Sequence, residues 1–268
     1  MALIAVVSAK GGAGVSTVAL ALAGAWRPGT AKPLLVEADP GGGDLLVNFQ
    51  LEDGPGLVSL ASAARRSGLD AALVAAHSRP LHRGARVVPA PVSAERTGAV
   101  LDLLAPLWAD ADLDGEYVVA DVGRRLDMVS GRELLARADV AVMVSGGSAA
   151  ALAHTGHAIR KVEGQLKSVV VAVSGHSEHS REEIATALGV EAVVMVPRDE
   201  VSAAVLRGEP EPRRRRGERG TYELMRHVVL LGDVLRPHLP VVSAPPDPAP
   251  VEPPRGRVDL VGAVQRSN

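Results

Sequence analysis

The chain predicts an α/β fold, a doubly wound and mainly parallel sheet covered by helices on both faces. Three observations predict it. Short apolar runs of Val, Leu, Ile and Ala alternate with longer runs of helical pattern along the first 235 residues. The short runs are continuously apolar rather than alternating, as strands buried on both faces are. The residues with chemistry gather where those runs end, and ligands of open parallel sheets sit at the carboxyl ends of the strands.

Taken in order, the first strand is expected at residues 3–8 (LIAVVS), an apolar run that stops at a glycine loop, with a helix at 16–26 (STVALALAGAW). A second strand at 34–37 (LLVE) ends in acid and leads through a glycine-rich stretch to a helix at 57–66. The run 85–88 (ARVV) precedes proline and a helix at 94–108, and 117–121 (YVVAD) precedes a helix at 130–136. Three more apolar runs, 140–144, 169–173 and 192–196, alternate with helical segments at 148–163, 181–188, 201–207 and 222–235. This alternation is that of a parallel sheet built from strand–helix–strand units.

Composition narrows the class further. A chain of 268 residues suits one large domain with a tail: residues 1–239 as the domain and 240–268 as a flexible Pro-rich extension ending in a short apolar stub at 258–264. Aromatic residues make up only 2% of the chain, so the core must be aliphatic. A net charge of −2 gives no global footprint for nucleic acid or membrane. The absence of cysteine excludes disulfides, thiolate metal sites and cysteine catalysis. No run approaches the roughly 18 apolar residues of a membrane span, and the N-terminal run is too short for a signal peptide. The expected location is cytoplasmic, with peripheral recruitment to membrane or nucleoid as a variant.

Four segments carry the chemistry. The first is Ser8-Ala9-Lys10-Gly11-Gly12-Ala13-Gly14-Val15-Ser16-Thr17. Strand, glycine loop and helix N-terminus together surround phosphates with backbone N–H groups. Ser16 falls where a hydroxyl would ligate Mg²⁺. The P-loop pattern expects lysine where Val15 stands, whereas Lys10 lies ahead of the glycines in a chain whose other lysines are Lys32, Lys161 and Lys167. The second segment, Glu37-Ala38-Asp39-Pro40-Gly41-Gly42-Gly43-Asp44, puts two carboxylates at a buried strand tip. Such a pair needs a cation nearby, and hydrated Mg²⁺ beside phosphates is the natural one. The third, ending in Asp121-Val122-Gly123-Arg124-Arg125, is a strand closing on a carboxylate in the manner of a Walker B acid. The fourth is Val196-Pro197-Arg198-Asp199, a rigid strand exit suited to walling a base pocket.

In this order the four segments resemble the MinD/ParA family of deviant Walker A ATPases over about residues 2–235, with Val87-Val88-Pro89-Ala90 similar to that family's L-P-A segment. The resemblance implies a P-loop NTPase fold, ATP and Mg²⁺ as ligands, and a homodimer closed on nucleotide. It implies that Lys10 is the signature lysine reaching across the dimer. Gly11, Gly12, Ala13, Gly14, Val15, Ser16 and Thr17 would cradle phosphates. Asp39 would position water, and Ser16, Asp39 and Asp121 would serve the metal. Pro197 and Asp199 would border adenine. Three positions depart from the family pattern: Val15 for lysine, Glu37 for the first switch I Asp, and Ser174 where a base-reading Asn is frequent.

The Val15 departure resembles the TadZ/CpaE branch, localisation factors of pilus and septal machines that often lack the P-loop lysine. The receiver-like domain usual ahead of the loop in that branch is expected to be absent. A lysine about 4 Å from a phosphate gives roughly 4 kcal/mol at an effective dielectric near 20, and losing one partner of a close charge pair costs about 2–5 kcal/mol. At most slow hydrolysis is therefore expected, with an arginine such as Arg124 or Arg125 as an alternative source of charge, although both read more simply as surface or dimer-edge residues. A competing reading is a partitioning ATPase held on DNA, or on anionic lipid, through Arg213–Arg216. A third is a nucleotide-free scaffold. The His154/His157 and His176/His179 pairs lack a third ligand and point to no metal site.

Overall fold

The computed structural model describes residues 2–25, 33–52, 54–81, 85–111, 116–124, 129–210 and 223–240. The arginine run 213–216, Arg125 and the tail beyond residue 240 lie outside the described residues. Eight strands form one sheet: β1 (Ala2–Val7), β2 (Leu34–Glu37), β3 (Arg79–Pro80), β4 (Arg86–Val88), β5 (Tyr117–Gly123), β6 (Val140–Gly146), β7 (Val169–Ser174) and β8 (Ala192–Val196). Their order is β3-β4-β2-β5-β1-β6-β7-β8, parallel throughout except for the two-residue edge strand β3. The helices are α1 (Val15–Ala25), α2 (Leu45–Asn48), α3 (Leu57–Ser67), α4 (Ala71–Ala76), α5 (Ala94–Ala109), α6 (Val129–Arg137), α7 (Ala149–Val162), α8 (Arg181–Leu188), α9 (Glu200–Leu206) and α10 (Glu223–Leu235).

The sheet is buried on both sides, as continuous apolar strands demand. Along β1, Leu3, Ala5 and Val7 enter one core with residues of α3, α5, α6, α7 and α8, among them the buried Trp108. Ala2, Ile4 and Val6 enter the other with α1 and α10. Successive side chains of a strand point to opposite faces, so one short run anchors both layers. Helix starts follow local chemistry. Ser93, Ser148 and Ser180 each accept an N–H from the residue three positions on, and Glu183 returns the bond to the Ser180 N–H in a capping box.

One strand and two helices lie outside the elements that the sequence predicts. β3 is two residues long and contains proline, which gives no strand signal. α2 is a single turn. α4 is six residues, AALVAA, whose start is set by Asp70 accepting from the Leu73 N–H at 2.6 Å. The remaining expected elements are present with boundaries displaced by a residue or two.

The chain leaves β1 toward β2 and β4 on one side, returns at β5, then builds β6 to β8 on the other. The reversal falls at β1 and β5. That is where a crevice opens at the carboxyl ends of a doubly wound sheet, and it is where the glycine loop and Asp121 lie.

Candidate functional site

The loop after β1 is tied to the end of β5. The Ser8 N–H donates to the Gly123 carbonyl at 2.9 Å, and the Ser8 hydroxyl donates to the Lys10 carbonyl at 2.9 Å. Gly12 and Gly14 have φ of +82° and +90°, conformations that a side chain would strain. A Cβ placed on Gly12 would meet nothing within 4 Å, so the loop's outer face is open. Gly11, Gly12 and Lys10 are exposed. The Val18 N–H to Gly14 carbonyl bond (2.9 Å) then opens α1. Ser16 at the helix start is exposed and Thr17 half-buried. Val15 points the other way: it is buried with Ala13 in the core that α1 shares with α10.

Register brings the carboxylates together. Val6 pairs with Asp121 and Glu37 pairs with Asp121, so the tips of β1, β2 and β5 converge. A bulge between Val6 and Val7, opposite Asp121 to Gly123, re-aims the end of β5. The buried Asp121 accepts the Gly123 N–H at 3.1 Å and a hydrogen bond from the Ser16 side chain. Burial raises its pKa to about 6 against the pull of the Ser16 hydrogen bond, with further upward pressure from Asp39 and Asp44. Asp39 accepts from the Gly41 N–H at 2.7 Å, and its carboxylate lies against Gly123, where a Cβ would sit 2.1 Å from Oδ2. Gly123 is therefore required for Asp39 to lie beside the end of β5.

Glu37 has a different task from the one the sequence suggested. Its Oε1 accepts from the Asp44 and Leu45 N–H groups at 2.8 and 3.1 Å, and its Oε2 from the Ala90 N–H at 2.8 Å. The lengthened arm thus clamps the loop after β2 onto the segment after β4 through three backbone donors. Burial pushes its pKa up to about 7 in spite of those three donors. The glycines make the clamp possible. Gly43 donates to the Pro91 carbonyl at 2.8 Å, and a Cβ on Gly42 (φ +101°) would lie 2.2 Å from the Val92 carbonyl oxygen. Gly42→Ala is expected to cost about 1–3 kcal/mol from backbone strain alone and to undock this loop. Hydrogen exchange should show lost protection at residues 41–45 while β6–β8 keep theirs; unchanged protection at 41–45 contradicts the clamp.

Asp199 also does more than the sequence suggested. It caps α9, accepting from the Ser202 N–H at 2.9 Å and from the Ser202 hydroxyl. These bonds, with others from the Leu224 and Val201 N–H groups, hold its pKa below the ordinary carboxylate value although burial pulls the other way. Ser174 lies near Gly14, its Oγ 3.9 Å from where a Cβ would be. Two arginines reach the glycine loop. Arg198 Nη2 donates to the Gly12 carbonyl at 3.3 Å, and Arg124 Nη1 lies 2.8 Å from the position of a Cβ on Gly11. No local pattern in the sequence signals the Arg198 contact, and Arg124 carries only a general one.

This donor set fits a polyphosphate with an associated hard cation. It offers an open glycine cradle, a helix N-terminus, one hydroxyl and carboxylate oxygens. Among the described residues no group of three or more His, Cys, Asp or Glu is placed to hold a metal ion. Mg²⁺ characteristically keeps waters and binds through one or two carboxylates plus substrate phosphates, so the Ser16–Asp121 pair suits it only when phosphates are present. No helix among the described residues is long and apolar enough to cross a membrane.

No protein-family model matches the chain, and no curated protein is significantly similar to it. Solved structures share its fold. It is similar to a ParA family ATPase from Chlorobium tepidum TLS, at 21% identity and a TM-score of 0.62, over 85% of this chain and 96% of the other. It is similar to the septum site-determining protein MinD from Pyrococcus horikoshii OT3, solved with Mg-ADP, at 16% identity and 0.64, over 90% and 99%. A putative plasmid partition protein from Borrelia burgdorferi B31, bound to AMPPNP, matches at 14% identity and 0.61, over 88% and 99%. The eight-stranded, mainly parallel sheet thus has the fold of these MinD and ParA structures.

Proposed function

We propose that the chain binds ATP with Mg²⁺ at the loop after β1 and works as a positional or assembly switch, dimerising on nucleotide and hydrolysing it slowly or not at all. The observation that carries this reading is the hydrogen bond from Ser16 to the buried Asp121 beneath an open glycine cradle. A hydroxyl on the first turn of α1 and an acid at the tip of β5 are juxtaposed where a phosphate-bound Mg²⁺ would need both. The nucleotides in two of the structural neighbours, Mg-ADP and AMPPNP, support the choice of ligand.

In this reading the amides of residues 11–17 hold the phosphates. Ser16 and Asp121 face the metal, and Asp39, fixed against Gly123, orders water at its edge. Lys10, exposed at the loop's start, is free to reach a second protomer. Pro197 and the adjoining backbone border the base, while the carboxylate of Asp199 holds α9. The bound triphosphate supplies the charge that two protomers close around. Val15, sunk in the core, offers no cation, which is why slow turnover is expected. The partner machine we favour is a pilus, secretion or septal apparatus of the kind served by TadZ/CpaE-like factors.

Equilibrium binding of labelled ATP, with and without Mg²⁺, tests the reading. Saturable, Mg²⁺-dependent binding below millimolar ATP, accompanied by dimer formation in sedimentation, is expected. No saturable signal at millimolar ATP leaves only a scaffold. Nucleotide-dependent retention on DNA that disappears when Arg213–Arg216 are neutralised would instead favour the partitioning reading.

A further inference from the structure

We infer that Arg124 supplies to the phosphates of the bound nucleotide the positive charge that Val15 does not. The inference rests on the nucleotide-binding reading above and assigns one more residue to that site. Arg124 immediately follows β5, whose end carries Asp121 and Gly123. Its exposed guanidinium lies against the first glycine of the loop, with Nη1 2.8 Å from the position a Cβ on Gly11 would take. The absence of a side chain at Gly11 is what lets the guanidinium approach so closely. A second arginine, Arg198 after β8, holds the same loop from another strand end through the Gly12 carbonyl. The loop thus receives cationic side chains from outside its own sequence, whereas its own position 15 is apolar and buried in the core beneath α1.

The chemistry favours this arrangement. Guanidinium stays charged at all physiological pH and offers a planar fork of donors matched to phosphate oxygens. Asp39 and Asp44 crowd Asp121 with like charge, so an anion entering here meets carboxylates that the loop amides alone do not offset. A cation at the loop's entrance lowers that barrier. It also places the charge at the exposed Gly11, while position 15 stays buried in the core.

Arg124→Ala, Arg124→Lys, Val15→Lys and the double variant Arg124→Ala/Val15→Lys test the assignment in the full-length protein. Binding of ATP, ADP and AMP would be measured at two salt concentrations, with thermal unfolding to confirm that each variant is folded. Arg124→Ala should weaken ATP and ADP at least tenfold, leave AMP nearly unchanged and flatten the salt dependence. Arg124→Lys should retain part of the affinity, and adding Val15→Lys to Arg124→Ala should restore most of it. If wild type binds ATP and Arg124→Ala binds it equally well, or loses ATP and AMP alike, the assignment is wrong and the nucleotide site stands. If wild type binds no nucleotide, the reading beneath it falls and Arg124 falls with it.

Discussion

Replacing Asp121 with asparagine is expected to stabilise the ligand-free protein at pH 8 while weakening Mg²⁺-dependent nucleotide binding tenfold or more. Asp121 is buried at the tip of β5, and its pKa is raised from 3.8 to about 6, mainly by loss of water. A raised carboxylate pKa means the folded state holds the proton more tightly than the unfolded one. Stability therefore falls as pH climbs from about 4 to about 6 for this group, by at most about 1.4 kcal/mol for each pH unit crossed, and is flat above. Glu37 adds a second decline between about 4.5 and 7. Asparagine keeps the acceptor for the Gly123 N–H and lets the Ser16 hydroxyl reverse its bond, so the charge is removed without orphaning a partner. The gain at pH 8 should be about 2 kcal/mol, below the ceiling set by the shift.

Urea unfolding of wild type at pH 5.5 and 8 should show the more acidic condition to be the more stable one, and Asp121→Asn should flatten that difference. Glu37→Gln behaves otherwise. The glutamine amide would face the Ala90 N–H donor to donor, and an unsatisfied buried donor costs about 1–3 kcal/mol. It should therefore be clearly less stable than wild type at pH 5.5, where Glu37 is protonated, and closer to it at pH 8. Equal wild-type stability at both pH values would mean that these acids are not buried as described. The wider inference is that the site holds its carboxylates at a cost to the empty fold, the arrangement expected where a cation arrives only with its ligand.

The sheet was legible because its signal is local and repeated. Continuous apolar strands, helical segments between them and glycine at the first strand exit each report on a few neighbouring residues, and together they allow little but a doubly wound sheet. Ser16 and Asp121 were legible for the same reason, as the ends of such elements. What escaped was set by pairings across the fold. Glu37 reads as half of an acidic switch until Ala90, fifty-three positions away, is seen to donate to it. Asp199 reads as part of a pocket wall, and only the Ser202 bonds reveal that its carboxylate caps α9. Arg124 and Arg198 look like surface charges, and only β5 and β8 ending beside the loop of β1 brings them to its glycines.

Val15→Lys is expected to raise ATP turnover by about 30-fold or more, the rate equivalent of recovering roughly 2 kcal/mol or more of charge stabilisation if it is felt mainly in the transition state. The structure adds a cost. Val15 is only 8% exposed and packs among Ala13, Val18 and the α10 side of the core. A lysine there must lay its methylenes along that core and lift its ammonium toward the cradle, the way long basic side chains reach water from apolar surfaces. Overpacking of this kind costs about 1–3 kcal/mol, so the variant should unfold at lower urea even as it turns over faster. Nucleotide should restore part of that stability, because binding to the folded state alone raises stability by mass action. Phosphate release under saturating Mg-ATP, set beside urea midpoints with and without nucleotide, separates the two effects. A wild type that already matches the variant's rate would mean that the missing lysine does not limit turnover. A slower variant whose midpoint no longer responds to nucleotide would mean that the ammonium stays trapped under α1 and never reaches the cradle.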